Sequence, residues 1–302
     1  MAGTRSPSLT IFYIVEPPEY EAMACYLLAS IRMHFPAKVK CVGYCPEHRL
    51  DELHPAIHAA HEKLGGEIRT FRSEGRFDPP YPHGNKMLAA LEPRDTTYSM
   101  FVDSDVLFLR PNDARNIVKA GHVSCSMAAS MVWAEQTIWD TIYGALDMPV
   151  PEERYYMMRR KARKVVPYFS SGLVAFPEKA TRTRRRFPDV WYETAQIIDK
   201  VDSLDRRRPY LDQMALPAAI QRAGLKWNIL PEEQHFILGG KLKGKPLPEN
   251  REIYTIHYRS QKHLRDVGHH KTARGYLHDL TGEKYVRRLA PDAETSLTGA
   301  AG

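Results

Sequence analysis

Two aspartates, Asp103 and Asp105, lie two positions apart between apolar runs in the segment FVDSDVLFLRP, residues 101–111. If the strand ahead of them persists, side chains at i and i+2 leave one face and the carboxylates converge. Paired carboxylates repel unless something positive sits between them. Mg²⁺ and Mn²⁺ take oxygen ligands and bridge to substrate phosphates, so a divalent cation is the expected partner. The alternative is a polar turn after a strand, where aspartate is common. Asp212 opens a helical stretch, a position a carboxylate also favours for the helix dipole alone. Cys41 and Cys45 have a spacing that can hold zinc, but no second pair follows and residues 39–45 are apolar. Small buried thiols are the reading.

These residues need elements to hold them. Residues 9–15 form a short apolar, β-rich run suited to a buried strand, and 19–35 place Met23, Leu27, Leu28 and Ile31 at helical spacing. Residues 38–44 read as a second strand. A helix over 54–64 stops at Gly65-Gly66, and Glu67–Phe71 reads as a third strand. Residues 86–91 end a helix and 97–102 form a fourth strand. Strands alternating with helices imply an α/β fold, a mostly parallel sheet with helices on both faces. Ligands of such sheets bind beyond the carboxyl ends of the strands, and there Asp103-Ser104-Asp105 follow Val102.

The second half is more mixed. Strands are expected over 123–127, 168–176 and 252–257, and helices over 136–146, 188–198 and 211–222. Residues 154–164 read as basic and helical or mobile. One domain over 9–290 is expected, with a nucleotide-binding half (9–110), a donor-sugar and acceptor half (111–290) and flexible ends at 1–8 and 291–302.

Four segments in order resemble glycosyltransferase family 8 of the GT-A fold, which includes the glycogenins and bacterial lipopolysaccharide galactosyltransferases. Asp103-Ser104-Asp105 resembles the D-x-D motif, and YFSSGLVAF (168–176) the "F-N-S-G" strand lining the sugar cleft. LDQMAL (211–216) is similar to "D-Q-D-x-L-N", and Ile256-His257-Tyr258 to the late "I-H-F". The resemblance spans Lys86 to Lys262 and implies a GT-A-like sheet. It implies a metal, Mn²⁺ or Mg²⁺, on Asp103, Asp105 and His257, with a nucleotide diphosphate sugar as donor. Asp212 and Gln213 would then stand at the sugar's reactive carbon. Candidate substrate-binding positions are Tyr13, Lys86, Ser104, Ser170, Ser171, Gly172 and Lys262. Ser170, Met214 and Pro217 depart from the family's asparagine, aspartate and asparagine, and residues after His257 lack its glycine and K-P-W. These departures leave the sugar, and the exact GT-A family, open.

The implied reaction moves a hexose, UDP-linked, to a hydroxyl acceptor with retention. A sugar nucleotidyltransferase would carry a glycine-rich basic loop after the first strand, where this chain has acidic EPPEY, residues 16–20. The net charge of +7 is spread over Arg159-Arg160-Lys161 with Arg163-Lys164, Arg182 with Arg184–Arg186, and Arg206–Arg208. Such clusters are solvated faces, or surfaces for an anionic glycan, a glycolipid, a peripheral membrane contact or nucleic acid. No RNA- or DNA-binding signature accompanies them, although a transferase acting on modified DNA stays open. With 302 residues the chain can bury a core without disulfides, and its four cysteines fit a reducing compartment. There is no apolar run of about 18 residues and residues 1–8 lack an apolar leader core. The expected location is cytoplasmic.

Overall fold

The computed structural model describes residues 7–179, 183–239 and 245–290, without the side chains of 160–162. The expected flexible ends therefore lie outside the described residues, apart from Pro7 and Ser8. Arg182 and the side chains of Arg160 and Lys161, members of the basic clusters, lie outside them too.

In chain order the elements are β1 (Leu9–Ile14), α1 (Tyr20–His34), β2 (Lys40–Pro46), α2 (Pro55–Lys63) and β3 (Glu67–Phe71). Then come α3 (Asn85–Leu91), β4 (Tyr98–Val102), β5 (Val106–Phe108), β6 (His122–Met127) and α4 (Ile138–Gly144). The hairpin β7 (Tyr155–Met157) and β8 (Arg160–Val165) precedes β9 (Phe169–Pro177), α5 (Phe187–Asp199), α6 (Leu211–Arg222) and β10 (Lys226–Leu230). The chain continues through β11 (Phe236–Ile237), β12 (Thr255–His257), α7 (Gln261–Asp266) and α8 (His269–Thr281).

The main sheet has seven strands in the order β10-β6-β9-β4-β1-β2-β3, and β11-β12-β5 form a second sheet. β10 runs parallel to β6 and β2 parallel to β3, whereas β9 is antiparallel to β6. β1, β2, β4 and β9 are buried nearly throughout, as strands covered on both faces are, and apart from Ser170 and Ser171 on β9 their residues are mostly apolar.

The chain divides into two compact units. The first comprises Met1–Thr10, Ser73–Phe101 and Ala114–His235. In it Arg94 is buried and donates to the Ala89 and Ala90 carbonyls at the end of α3, at 3.1 and 2.9 Å. Its Nε lies 2.7 Å from Glu178 Oε1, and Arg186 holds the other carboxylate oxygen at 2.9 Å. Trp191 on α5 donates to the Asp212 carbonyl at 3.0 Å, tying α5 to the start of α6.

The second unit comprises Ile11–Arg72, Val102–Asp113 and Phe236–Gly302. Arg32 on α1 donates to the carbonyls of Leu64 and Val39, both at 2.7 Å, so the end of α2 is capped from a neighbouring helix. Gly65 follows with φ +62°, the left-handed conformation that terminates a helix cheaply only in glycine.

The segment 154–164, expected to be helical or mobile, is instead the β7–β8 hairpin, with Tyr155 opposite Val165. Tyr155, Tyr156 and Met157 are half-buried, exposed and buried in turn, and tyrosines favour a pleated, half-covered surface over a helix. All four cysteines are buried thiols, and burial pushes Cys41 and Cys45 up to about 12. Among the described residues no helix is long and apolar enough to cross a membrane.

Candidate active site

The second unit gathers Asp103, Asp105 and His257. β4 does not persist through the aspartates: it ends at Val102, and the Val106 N–H donates to the Asp103 carbonyl at 3.0 Å to close a turn. The expected strand geometry is thus corrected. The carboxylates converge because Asp-Ser-Asp, residues of turn-forming type, reverse the chain locally. Ser104 fastens that turn, its Oγ donating to the Ile14 carbonyl at the end of β1.

β5 restarts at Val106 and pairs antiparallel with β12, whose His257 lies opposite Val106. The Tyr258 N–H donates to the Asp105 carbonyl at 2.9 Å and continues the ladder by one residue. This register sets His257 Nε2 3.1 Å from Asp105 Oδ1 and 3.8 Å from Asp103 Oδ2. One ligand atom from each residue falls within 4.8 Å of the others.

Burial alone would lower the pKa of His257. The Asp105 charge and hydrogen bond, aided by Asp103, outweigh it and raise the pKa above the usual histidine value. Two hard carboxylate oxygens and an imidazole nitrogen, partly buried and mutually close, fit Mn²⁺ or Mg²⁺.

The first unit gathers a different set. α3 carries Lys86, whose Nζ lies 3.2 Å from Asp212 Oδ2 on the first turn of α6. The same Nζ donates to Ser171 Oγ at 3.2 Å, and Ser171 donates onward to Asp212 Oδ2. Tyr81 completes the shell, its hydroxyl 2.8 Å from Asp212 Oδ1 and 2.7 Å from the Pro209 carbonyl. Asp212 is 1% exposed and Lys86 8%, so this is a buried, hydrogen-bonded ion pair. Burial, then the Asp212 charge and hydrogen bond, push the Tyr81 hydroxyl far above its ordinary pKa, so it stays a neutral donor.

Several expected positions fall elsewhere. Successive residues of β9 face opposite ways, so Ser170 turns from the cluster that Ser171 joins and meets His235 Nε2 at 3.2 Å. Gly172 is buried beside it, its N–H donating to Ser170 Oγ at 3.4 Å. Gln213 follows Asp212 and is half-buried. Tyr13 is fully buried, its ring 5.9 Å from that of His61. Lys262, with its side chain 73% exposed, pairs with Asp266 at 3.1 Å on α7. Tyr81 itself carries no sequence signal beyond two flanking prolines and is visible only in the fold.

The family model of the Rhodobacterales glycosyltransferase domain matches residues 11–224. The chain belongs to that family. Its fold is similar to that of the galactosyltransferase LgtC solved with donor and acceptor sugar analogues. That likeness has a TM-score of 0.55 at 15% identity and covers 90% of this chain and 96% of that one. Mouse xyloside xylosyltransferase 1 in its apo form is similar with a TM-score of 0.51 at 10% identity, over 83% and 97% of the two chains. An active-site mutant of LgtC gives 0.51 at 14% identity, over 82% and 86%. No curated protein matches the sequence. The glycosyltransferase thus has the GT-A fold expected from its motif order, on a large, mostly parallel sheet.

Proposed function

We propose that this glycosyltransferase moves a hexose from a UDP-linked donor to a hydroxyl acceptor, with retention, using Mn²⁺ or Mg²⁺ held by Asp103, Asp105 and His257. The observation that carries the reading is the approach of those three ligand atoms to within 4.8 Å of one another. Held by Asp103, Asp105 and His257, a divalent cation would supply electrostatic stabilisation of the negative charge that develops as the diphosphate departs.

The chain's own residues do the rest. Asp103 and Asp105 hold negative charge on a turn fastened by Ser104, and His257 is fixed beside them by β12. Asp212 offers a carboxylate for oxocarbenium-like charge at the sugar's reactive carbon, with Gln213 next to it. Lys86 neutralises Asp212 in the resting protein, and Ser171 orients the carboxylate by donating to it. Exposed Lys262 is suited to an anionic ligand. The likeness to LgtC, solved with donor and acceptor sugar analogues bound, supports a two-substrate transfer here.

The reading includes a nucleotide-binding role for residues 9–110 and a donor-sugar and acceptor role for 111–290. The acceptor class favoured by the basic segments is an anionic glycan or glycolipid, met in the cytoplasm or at a membrane surface.

The test is donor hydrolysis across a panel of nucleotide sugars, with Mn²⁺ and with chelator, because slow water attack needs no acceptor. Metal-dependent release of UDP from one donor is the expected result. Silence across the panel together with no metal-dependent UDP or GDP binding overturns the reading. The anomeric configuration of the product, by NMR, tests retention separately.

A further inference from the structure

The Asp212 carboxylate receives three side chains, of which Lys86 and Ser171 both meet Oδ2. Oδ1 is met by Tyr81 alone among the side-chain hydrogen bonds described for it, at 2.8 Å. The Tyr81 oxygen also receives the Asp212 backbone N–H at 3.4 Å and lies 2.7 Å from the Pro209 carbonyl. One phenol therefore contacts both the side chain and the main chain at the start of α6.

The ring that carries this hydroxyl is itself held. Phe77 packs edge-on against it with centroids 5.4 Å apart, and the Arg208 guanidinium lies 5.3 Å from its centroid. Arg208 is in turn anchored by Asp199, at 3.0 and 2.5 Å. Gly84 leaves the space the ring occupies: a Cβ there would stand 2.7 Å from Tyr81 Cδ1 and 2.8 Å from Phe77 Cε2. The Gly84 N–H donates to the Tyr81 carbonyl at 2.9 Å, just before α3 begins and two residues before Lys86. The ring thus stands between the start of α3, which carries Lys86, and the start of α6, which carries Asp212.

We infer that Tyr81 is a positioning residue that fixes the rotation of the Asp212 carboxylate and, through it, the alignment of the Lys86–Asp212 pair. The inference rests on the role given to Asp212 above. A carboxylate held only through Oδ2 can turn about its Cβ–Cγ bond, and the hydroxyl on Oδ1 removes that freedom. The group most sensitive to such a turn is one whose interaction strengthens in the transition state, so the loss belongs in kcat and not in KM.

The experiment is steady-state donor hydrolysis by Tyr81→Phe, with Asp212→Asn and wild type alongside, each corrected for its folded fraction by thermal melting. Tyr81→Phe keeps the ring, its contact with Phe77 and its stacking under Arg208. The expected result is a kcat lower by roughly 10- to 100-fold, the scale of a small misplacement of a catalytic group, with the donor KM within about twofold of wild type. Gly84→Ala, which displaces the ring but leaves the hydroxyl in the chain, gives the same kcat-selective loss. It also serves as the reporter should Tyr81→Phe prove unstable.

Wild-type kcat in folded Tyr81→Phe overturns the inference, as does wild-type kcat in Gly84→Ala where that variant is the reporter, or a loss that vanishes on correction for folded protein or appears equally in KM. Unchanged turnover by Asp212→Asn instead sinks the role assigned to Asp212, so the two failures are distinguishable.

Discussion

His257 Nε2 lies 3.1 Å from Asp105 Oδ1 although half the chain separates the two residues in sequence. The contact is made by backbone pairing: β12 lies antiparallel to β5, opposing His257 to Val106, the residue after Asp105. A one-residue slip of β12 would turn the imidazole to the other face and dissolve the cluster.

Replacing Asp103 or Asp105 with alanine is expected to lower metal-dependent donor turnover by at least about 100-fold, the scale of losing electrostatic stabilisation of a leaving group. Manganese binding followed by electron paramagnetic resonance should fall in parallel, with circular dichroism unchanged. Full activity in either variant removes the metal assignment.

Acid stability should report His61. This ring is fully buried, its Nδ1–H donates to the Ile57 carbonyl at 2.8 Å, and burial lowers its pKa from 6.5 to about 4. The unfolded chain therefore binds a proton between about pH 6.5 and 4 that the folded one refuses. The resulting stability is present above pH 6.5 and is lost as pH falls toward 4, amounting to about 3 kcal/mol. Urea melts over that range should show the slope, and His61→Gln should flatten it.

Gly43 sits on β2 where no side chain fits. A Cβ would stand 2.5 Å from Val15 Cγ2, 3.0 Å from His61 Nε2 and 3.1 Å from Tyr13 Cε2. Gly43→Ala is expected to cost about 1–3 kcal/mol through overpacking, read as a lower denaturation midpoint at unchanged m-value.

Arg94→Met should be more damaging. It strips the last-turn carbonyls of α3 of their donors and leaves Glu178, 6% exposed, with Arg186 as its remaining guanidinium partner. A loss of about 3–5 kcal/mol is expected, the cost of breaking a buried pair from one side. Arg94→Met combined with Glu178→Leu should recover part of it in the same melts.

Much of the site was legible because local chemistry and local structure coincide there. Asp103 and Asp105 stand out as charges between apolar runs, and Asp212 as an acid opening a helical period. Glu67–Phe71 and Leu211–Arg222 occupy the spans their patterns predict. The order of the four short motifs carried the GT-A resemblance that the fold and the family then bore out.

Other features depend on pairing between distant segments, and a one-dimensional pattern does not encode that pairing. Three-residue strands such as β5 and β12 are too short to show a period, yet they bring His257 to Asp105. The basic composition of 154–164 hid a hairpin, because charge is neutral between an exposed helix and an exposed strand. The packing of Tyr13 against His61 is likewise visible only in the fold. Residue types and order thus determined the chemistry on offer, two acids and a histidine in one set, a lysine and an acid in another. Strand register and the face each side chain takes, set by tertiary hydrogen bonds and packing, decided which of those residues meet.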